Sequence, residues 1–350
     1  METRKQKRRS LRLTLLLLLL TAIILLSSSY AWFTANQTVT VSQLQVNVAA
    51  QNGLQISADG SVFSALIGKD DLITASGTYS DLLNQLPVNL APVSTGGNIT
   101  GGKLDMYLGS VNANATTGKY ELTATKETEV NSTTTNATGN FLAFDIFLKV
   151  ESATNIEITA NSGVRATGAK STGIENSARV AFVVQGTKPA GTDLTTIQQM
   201  NAGTLYIWEP NYDTHTPAAI SHAIGNYNKT LADFGQSTMP SATVTGVDQI
   251  ATDGVKAEIT TGILLPSTTA AANSTYFQTV TPSYTTASSF GTTGHEDDSL
   301  PIFSLQAGIT KIRVYCWIEG QDYDCENDAS GGNIALDLQI TRSATQPTGT

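Results

Sequence analysis

The chain has 350 residues, of which only 14% are charged, and its 29 acidic against 20 basic side chains give a formal net charge of −9. Residues 1–31 hold six of the basic and one of the acidic side chains, so residues 32–350 carry 14 basic and 28 acidic ones. Such an acidic surface lacks the basic patches that nucleic acids and anionic lipid surfaces require, so neither is an expected partner.

The first 31 residues have the layout of a secretory signal peptide. Six basic residues lie between positions 4 and 12, an apolar run covers 13–26, and small residues follow at 27–31. The apolar run spans about 21 Å as a helix, which is short of a bilayer core. We therefore predict cleavage between Ala31 and Trp32. An uncleaved anchor over 13–33 is the alternative, and in both cases the rest of the chain lies outside the cell, touching the membrane only through this segment.

A strand is predicted directly after the cleavage site, within residues 32–48. Its apolar residues alternate, but the phase of the alternation changes at 42–43, which predicts a β-bulge or a break between two strands. A strand with a free end can complete its own sheet or join the sheet of a neighbouring subunit. The side chains that would set its register are Val39, Val41, Leu44, Val46 and Val48.

The remaining chain reads as one all-β domain over 32–350. Period-two patterns predict a strand–turn–strand unit over 141–158 and further strands at 178–184, 205–208, 255–265, 309–318 and 334–340. Polar, Thr/Asn/Ser-rich stretches at 111–140, 160–176 and 266–299 are predicted to be loop insertions, and short helices are predicted at 80–86, 194–200 and 218–224. A β-sandwich or jelly roll closed by a C-terminal hairpin over 309–342 fits this pattern.

Two cysteines and an acidic loop follow the strand predicted at 309–318. Cys316 and Cys325 are the only cysteines, and outside the cell they favour a disulfide over two thiols. Alternating carboxylates in this loop offer hard oxygen ligands for Ca²⁺, or else form a solvated acidic cap. The spacing is not that of an EF-hand, because Asn327 stands where a glycine is needed. The candidate calcium ligands are Glu319, Asp322, Asp324, Glu326 and Asp328.

No arrangement of residues predicts an enzyme. The three histidines, His215, His222 and His295, lie outside any H-E-x-x-H helix, and the chain has no G-x-S-x-G elbow, P-loop or dinucleotide fingerprint. We therefore expect no catalytic residue and no cofactor other than the possible Ca²⁺.

Three segments resemble a known group of secreted proteins. They are S-Y-A-W-F-T at 29–34, A-R-V at 178–180 with I-W-E-P-N at 207–211, and W-I-E-G-Q-D-Y-D-C at 317–325. Together they are similar to bacterial proteins processed by the SipW-type signal peptidase, which are related to the TasA/camelysin family of biofilm-matrix fibre proteins. The chain differs from TasA in its length and its polar insertions.

The resemblance implies a jelly-roll β-sandwich at the cell surface or in the biofilm matrix. It also implies assembly with copies of itself or with matrix components by donor-strand exchange. A β-sandwich module that binds a glycan or peptide is the alternative function, and a camelysin-like metalloprotease is a minor one.

Overall fold

The computed structural model describes residues 39–46, 53–114, 119–131, 138–158, 162–167, 173–211, 214–217, 219–221, 224, 230–234, 236–238, 263–266, 277–280, 285–286, 303–320, 322, 324–325 and 333–342. The predicted signal peptide and the Ala31–Trp32 cleavage site lie outside these residues. So do Val48, Glu326, Asp328, His222 and His295.

The described residues are mostly β-strand. The strands are β1 (Val39–Val46), β2 (Gln55–Ser57), β3 (Asn89–Leu90), β4 (Val93–Thr100), β5 (Lys103–Asn114), β6 (Lys119–Lys126), β7 (Leu142–Val150), β8 (Thr154–Ile158), β9 (Gly163–Ala166), β10 (Ala178–Lys188), β11 (Thr204–Trp208), β12 (Ile263–Pro266), β13 (Phe277–Val280), β14 (Thr285–Thr286), β15 (Phe303–Leu305), β16 (Gly308–Ile318), β17 (Asn333–Leu338) and β18 (Ile340–Arg342). The helices are α1 (Lys69–Ala75) and α2 (Leu194–Gln198), with 3₁₀ turns at Ile174–Ser177 and Leu231–Phe234.

A six-stranded sheet forms the centre of the fold, in the order β14-β11-β10-β16-β7-β2. Its long middle strand, β16, pairs antiparallel with β10 on one side and with β7 on the other. The alternation predicted for β7 is confirmed, because one set of its side chains faces the main hydrophobic core: Leu142, Phe144, Ile146, Leu148 and Val150.

Two smaller sheets cover this face of the central sheet. One has the order β3-β1-β17-β9 and the other the order β15-β8-β18. They bury Ile156 and Ile158 of β8, and Ile334, Leu336 and Leu338 of β17, in the same core. The two layers therefore share one apolar interior, as β-sheets with one apolar face each require.

The opposite face of the central sheet is buried as well. The β4–β5 hairpin packs Leu104 and Met106 against Tyr315 and Trp317 of β16. Because both faces are covered, Asp145 of β7 and Lys311 and Arg313 of β16, which point to this outer face, are also buried, as the 1% exposure of Arg313 illustrates.

The predicted hairpin over 309–342 is wrong. Both edges of β16 are already occupied by β10 and β7, so the chain crosses to the other layer, where β17 pairs with β1 and β9. The single strand predicted at 334–340 is two strands in the structure. The chain leaves the sheet of β17 at Gln339, and β18 then joins the β15-β8-β18 sheet. The strands β7 and β8 were both predicted, and they too lie in different sheets.

Part of the predicted polar loops is strand instead. Residues Lys119–Lys126 form β6, which pairs with β5 over eight residue positions, and Gly163–Ala166 form β9. The β6 segment has Tyr120, Leu122 and Ala124 at alternate positions, and its Thr residues favour extended backbone. Cross-strand hydrogen bonds to β5 satisfy that backbone.

One of the three predicted helices is wrong. Residues 80–86 form a turn, where Asn84 donates to the Leu72 carbonyl at 2.7 Å and accepts from the Asp145 backbone N–H at 3.3 Å. The predicted helix at 194–200 is confirmed as α2, which begins at an Asp193 cap. Within 218–224, residues 219–221 and 224 are helical.

Candidate functional site

The N-terminal strand β1 lies inside the sheet of its own subunit. It pairs parallel with β17 over Thr40–Val46 and antiparallel with β3 at Val39 and Thr40 only. Most of its pairing is therefore with a single neighbour, β17, which lies near the C-terminal end of the sequence.

The β-bulge predicted at 42–43 is confirmed, and the register explains it. Val41 is opposite Ile334 and Leu44 is opposite Leu336, so three steps along β1 match two steps along β17. Ser42 is the extra residue, and the ladder shifts there. The shift aligns the apolar positions of β1 with the fully buried positions of β17 on both sides of the bulge.

Two of the three segments that carry the resemblance, 178–180 with 207–211 and 317–325, meet in one largely buried cluster, while 29–34 lies outside the described residues. Arg179 stands at the start of β10, Glu209 directly after β11, and Asp322 and Asp324 in the loop after β16. Arg179 Nη2 lies 2.5 Å from Glu209 Oε1 and 2.6 Å from Asp322 Oδ2. His215 completes the group, which we call the Arg179 cluster: Arg179, Glu209, His215, Asp322 and Asp324.

His215 is held between two carboxylates as an imidazolium. Its Nε2 lies 2.9 Å from Glu209 Oε1 and its Nδ1 lies 2.7 Å from Asp324 Oδ2. A protonated imidazole can donate from both ring nitrogens at once, which suits a position between two carboxyl groups. Burial alone would lower the pKa of His215, but the charge of Asp322 and the hydrogen bonds to Asp324 and Glu209 outweigh it and raise this pKa to about 10.

The cluster carries three carboxylates against two cations. Burial raises the pKa of Asp322, and the carboxylate of Asp324 raises it further, while Arg179 and His215 oppose the shift. The cluster therefore retains protons more readily than its separate groups would in water.

The remaining acid of the signature, Glu319, links three elements. Its carboxylate accepts hydrogen bonds from Ser94 Oγ of β4 and, at 3.1 Å, from Trp317 Nε1 of β16. Its backbone N–H donates to the Ser177 carbonyl just before β10 at 2.7 Å. The W-I-E-G-x-D-x-D-C segment thus links the end of β16 to β4 and β10.

No family model, curated protein or solved structure matches this chain. The relationship inferred from residues 29–34, 207–211 and 317–325 therefore stays a prediction. Among the described residues, no helix has the length and apolar character needed to cross a membrane.

The Arg179 cluster contains three groups with the spacing of metal ligands. One ligand atom each from Glu209, His215 and Asp322 lies within 4.8 Å of the others. However, the Arg179 guanidinium already contacts both carboxylates, and each ring nitrogen of His215 already lies within 2.9 Å of a carboxylate oxygen. These groups therefore fit a buried ion network better than a metal centre.

The predicted calcium ligands are only partly described. Glu319, Asp322 and Asp324 lie close together in the fold, and each accepts hydrogen bonds from protein donors, including Thr216 Oγ1 to Asp324 Oδ1 at 2.6 Å. A calcium site in this loop stays a prediction, and so does the disulfide. Cys316 and Cys325 are both buried in the main core, as thiols.

Sequence reasoning missed a second set of buried charges. Asp145 on β7 and Lys311 and Arg313 on β16 occupy alternate positions inside strands that otherwise consist largely of apolar residues. Arg313 Nη1 lies 2.7 Å from Asp145 Oδ1, and Arg313 Nη2 lies 2.7 Å from Glu129 Oε2. The charged residues within these apolar strands were a signal that could have predicted a buried ion network, since buried charges need partners.

Proposed function

We propose that this chain is a secreted bacterial structural protein of the cell surface or biofilm matrix, whose subunits join by exchanging β1. The partner in this proposal is a second copy of the chain or a related matrix component. We further infer that its two layers belong to a jelly-roll-like sandwich, since β7–β8 and β16–β17 both cross between layers.

The pairing of β1 with β17 carries the proposal. Cleavage after Ala31 would leave seven residues, 32–38, between a free N-terminus and β1, so the strand could leave its sheet without breaking a chain connection. Its removal would expose the backbone edge of β17, a strand whose Ile334, Leu336 and Leu338 side chains are fully buried. An open edge beside an apolar core is the kind of site that a strand from another subunit fills.

The contacts that hold β1 in its own subunit can also form between subunits. Exchange of an identical element keeps the same pairing, so its cost lies mainly in the chain linking β1 to the rest of the domain. Six residues, 47–52, separate β1 from Gly53. Protein concentration then decides between the closed monomer and the polymer.

A cysteine pair across β1 and β17 tests the proposal. Gln45 is in register with Asp337, and neighbouring strands lie close enough for a disulfide. In the Gln45→Cys/Asp337→Cys variant, we expect oxidation of dilute monomer to give an intramolecular bond and to block fibres. Oxidation after fibres have formed should give a ladder of covalent oligomers on a non-reducing gel.

The single variants Gln45→Cys and Asp337→Cys control for the substitutions, and reduction should restore assembly of the locked monomer. Fibres that contain only intramolecular bonds would contradict strand exchange. So would a mature protein that stays monomeric at every concentration and pH tested.

A further inference from the structure

A polar cavity lies on the outer face of the central sheet, away from β1 and from the Arg179 cluster. It encloses about 200 Å³ between β16, the turn of the β4–β5 hairpin and the segment after α2. Asp81, Gln199 and Asn201 at its rim are exposed, so the cavity opens to solvent. Its lining also includes Lys103, Asp145, Gln185, Lys311 and Arg313.

The charged groups at the floor of this cavity compensate one another. Lys311 Nζ donates to the carbonyls of Gln198 at 2.8 Å and Met200 at 3.2 Å, and lies 3.4 Å from Asp145. Arg313 is paired with Asp145 and Glu129. The floor therefore has little charge left to attract a free anion or cation.

One residue of the cavity wall, Gln185, has a buried acceptor atom that lacks a donor. Gln185 is 4% exposed, and its Nε2 donates to the Gly102 carbonyl at 2.6 Å. Its Oε1 is buried and accepts no hydrogen bond from any described residue. A buried acceptor without a donor costs free energy, so this oxygen favours a ligand that carries O–H or N–H groups.

The hairpin turn is shaped to keep this amide in place. Gly102 has a positive φ of 76°, and a Cβ there would lie 2.8 Å from Gln185 Nε2 and 2.9 Å from the Asn201 carbonyl. Only glycine allows this close approach of the turn to the cavity wall.

We propose that this cavity binds one neutral sugar ring of an extracellular glycan. Sugar hydroxyls donate and accept hydrogen bonds at once, which matches the amides of Gln185, Gln199 and Asn201. Lys103 is 34% exposed and pairs with Glu129 at 3.1 Å, which leaves ammonium hydrogens for a sugar oxygen. The volume is below that of sites for drug-sized ligands, as a single ring requires.

Saturation-transfer NMR on the mature protein tests this site. The probes are glucose, galactose, mannose and N-acetylglucosamine at millimolar concentrations, with phosphate and acetate as anionic competitors. We expect saturation transfer to at least one sugar and no competition by either anion. Gln185→Leu should weaken binding about tenfold, the effect of one lost hydrogen bond.

Gln55→Leu, the same substitution at an exposed position on β2, should bind like the wild type. Asn201→Trp at the exposed rim offers a second variant, which fills the cavity without touching the buried amide and should abolish binding. Absence of transfer to all four sugars in wild type would overturn the proposal, as would wild-type binding in both cavity variants. Displacement by phosphate or acetate would also overturn it. Sugar binding is measured on monomer, so its outcome is independent of fibre formation.

Discussion

At the scale of single residues, the fold depends on where its charges are buried. Arg179 is 1% exposed and contacts two carboxylates, whereas Arg165 has a 52% exposed side chain and pairs with Asp337 at 2.6 Å. The distances of the two ion pairs are similar, so burial is what separates them. Removing one partner of a buried ion pair leaves the other charge buried and uncompensated. When one partner of an exposed ion pair is removed, water solvates the charge that remains.

We predict that Arg179→Met lowers the free energy of unfolding by about 3–5 kcal/mol. The matched variant Arg165→Met should lower it by less than about 1 kcal/mol. Urea denaturation of the mature protein followed by tryptophan fluorescence measures both. Equal losses in the two variants would show that the Arg179 cluster does not stabilise the fold.

The raised pKa of His215 predicts a pH dependence of stability. The folded protein holds this proton up to about pH 10, while an unfolded histidine releases it near 6.5. The stabilisation is therefore complete below pH 6.5 and is lost progressively as the pH rises toward 10. Melting temperatures of the wild type and of His215→Gln should differ most at pH 5–6 and converge as the pH approaches 10. A difference that grows with pH would contradict the imidazolium.

At the scale of elements, the bulge in β1 brings its apolar residues into register with those of β17, although the spacing between them is one residue longer in β1. Ser42 is the residue without a partner, and Val41 and Leu44 on either side are both opposite core positions of β17. Deleting Ser42 would leave a regular ladder with the same apolar pairs. Deleting Gln45 would instead shift Val46 by one position, and a shift of one residue turns a side chain to the other face.

We therefore predict that the deletion of Ser42 is tolerated, with a change in unfolding free energy within about 1 kcal/mol, whereas the deletion of Gln45 costs more. Thermal unfolding of the two deletion variants provides the comparison. If the Ser42 deletion were the more harmful of the two, the bulge itself would be needed for the fold.

Truncation of β1 separates its two possible roles. Removing residues 32–41 takes away the part of the strand that pairs with β3, and Val41, which pairs with Ile334. If β1 is a donor strand, the truncated protein should remain a folded monomer that no longer forms fibres. Circular dichroism and electron microscopy measure the two properties. Unchanged fibres would exclude β1 as the donor, and loss of the folded domain would make it an ordinary core strand.

At the scale of the whole molecule, the predicted cleavage after Ala31 would determine which chain folds. Intact-mass analysis of the secreted protein should give a chain that begins at Trp32. It should also be two hydrogens lighter than the dithiol if Cys316 and Cys325 form the predicted disulfide outside the cell. Retention of residues 1–31 would favour the membrane anchor, and a mass unchanged by reduction would contradict the disulfide.

Sequence patterns by themselves determined the existence of the main strands. The alternations in β7, β10 and β16 are local properties of the chain. An apolar residue at every second position indicates which side chains lie on the same face of a strand. The phase change at 42–43 likewise located the bulge in β1. The short helix predicted at 194–200 is likewise α2, whose Asp193 cap in the structure is a local interaction.

Only the tertiary structure decided which strands are neighbours. The sequence predicted a hairpin over 309–342, but β16 already has β10 and β7 at its edges, and β17 pairs with β1 from the other end of the chain. Apolar periodicity indicates which face of a strand is buried, but it does not indicate which strand lies at each of its edges. Strands that pair across a long sequence separation therefore leave no local signal. The strand β6 escaped prediction for a different reason, since its short alternation of Tyr120, Leu122 and Ala124 lies inside a stretch whose composition is mostly polar.

The Arg179 cluster and the cavity at Gln185 show the same difference between what local sequence patterns indicate and what contacts between distant residues decide. The sequence singled out Arg179, Glu209, Asp322 and Asp324 by resemblance, but not their contact with one another or with His215. Arg179 and Asp322 are 143 positions apart, and His215 and Asp324 are 109. The cavity at Gln185 likewise exists only because the hairpin turn and the segment after α2 close over the central sheet. Contacts between such distant positions arise from packing of the layers, which no local pattern encodes.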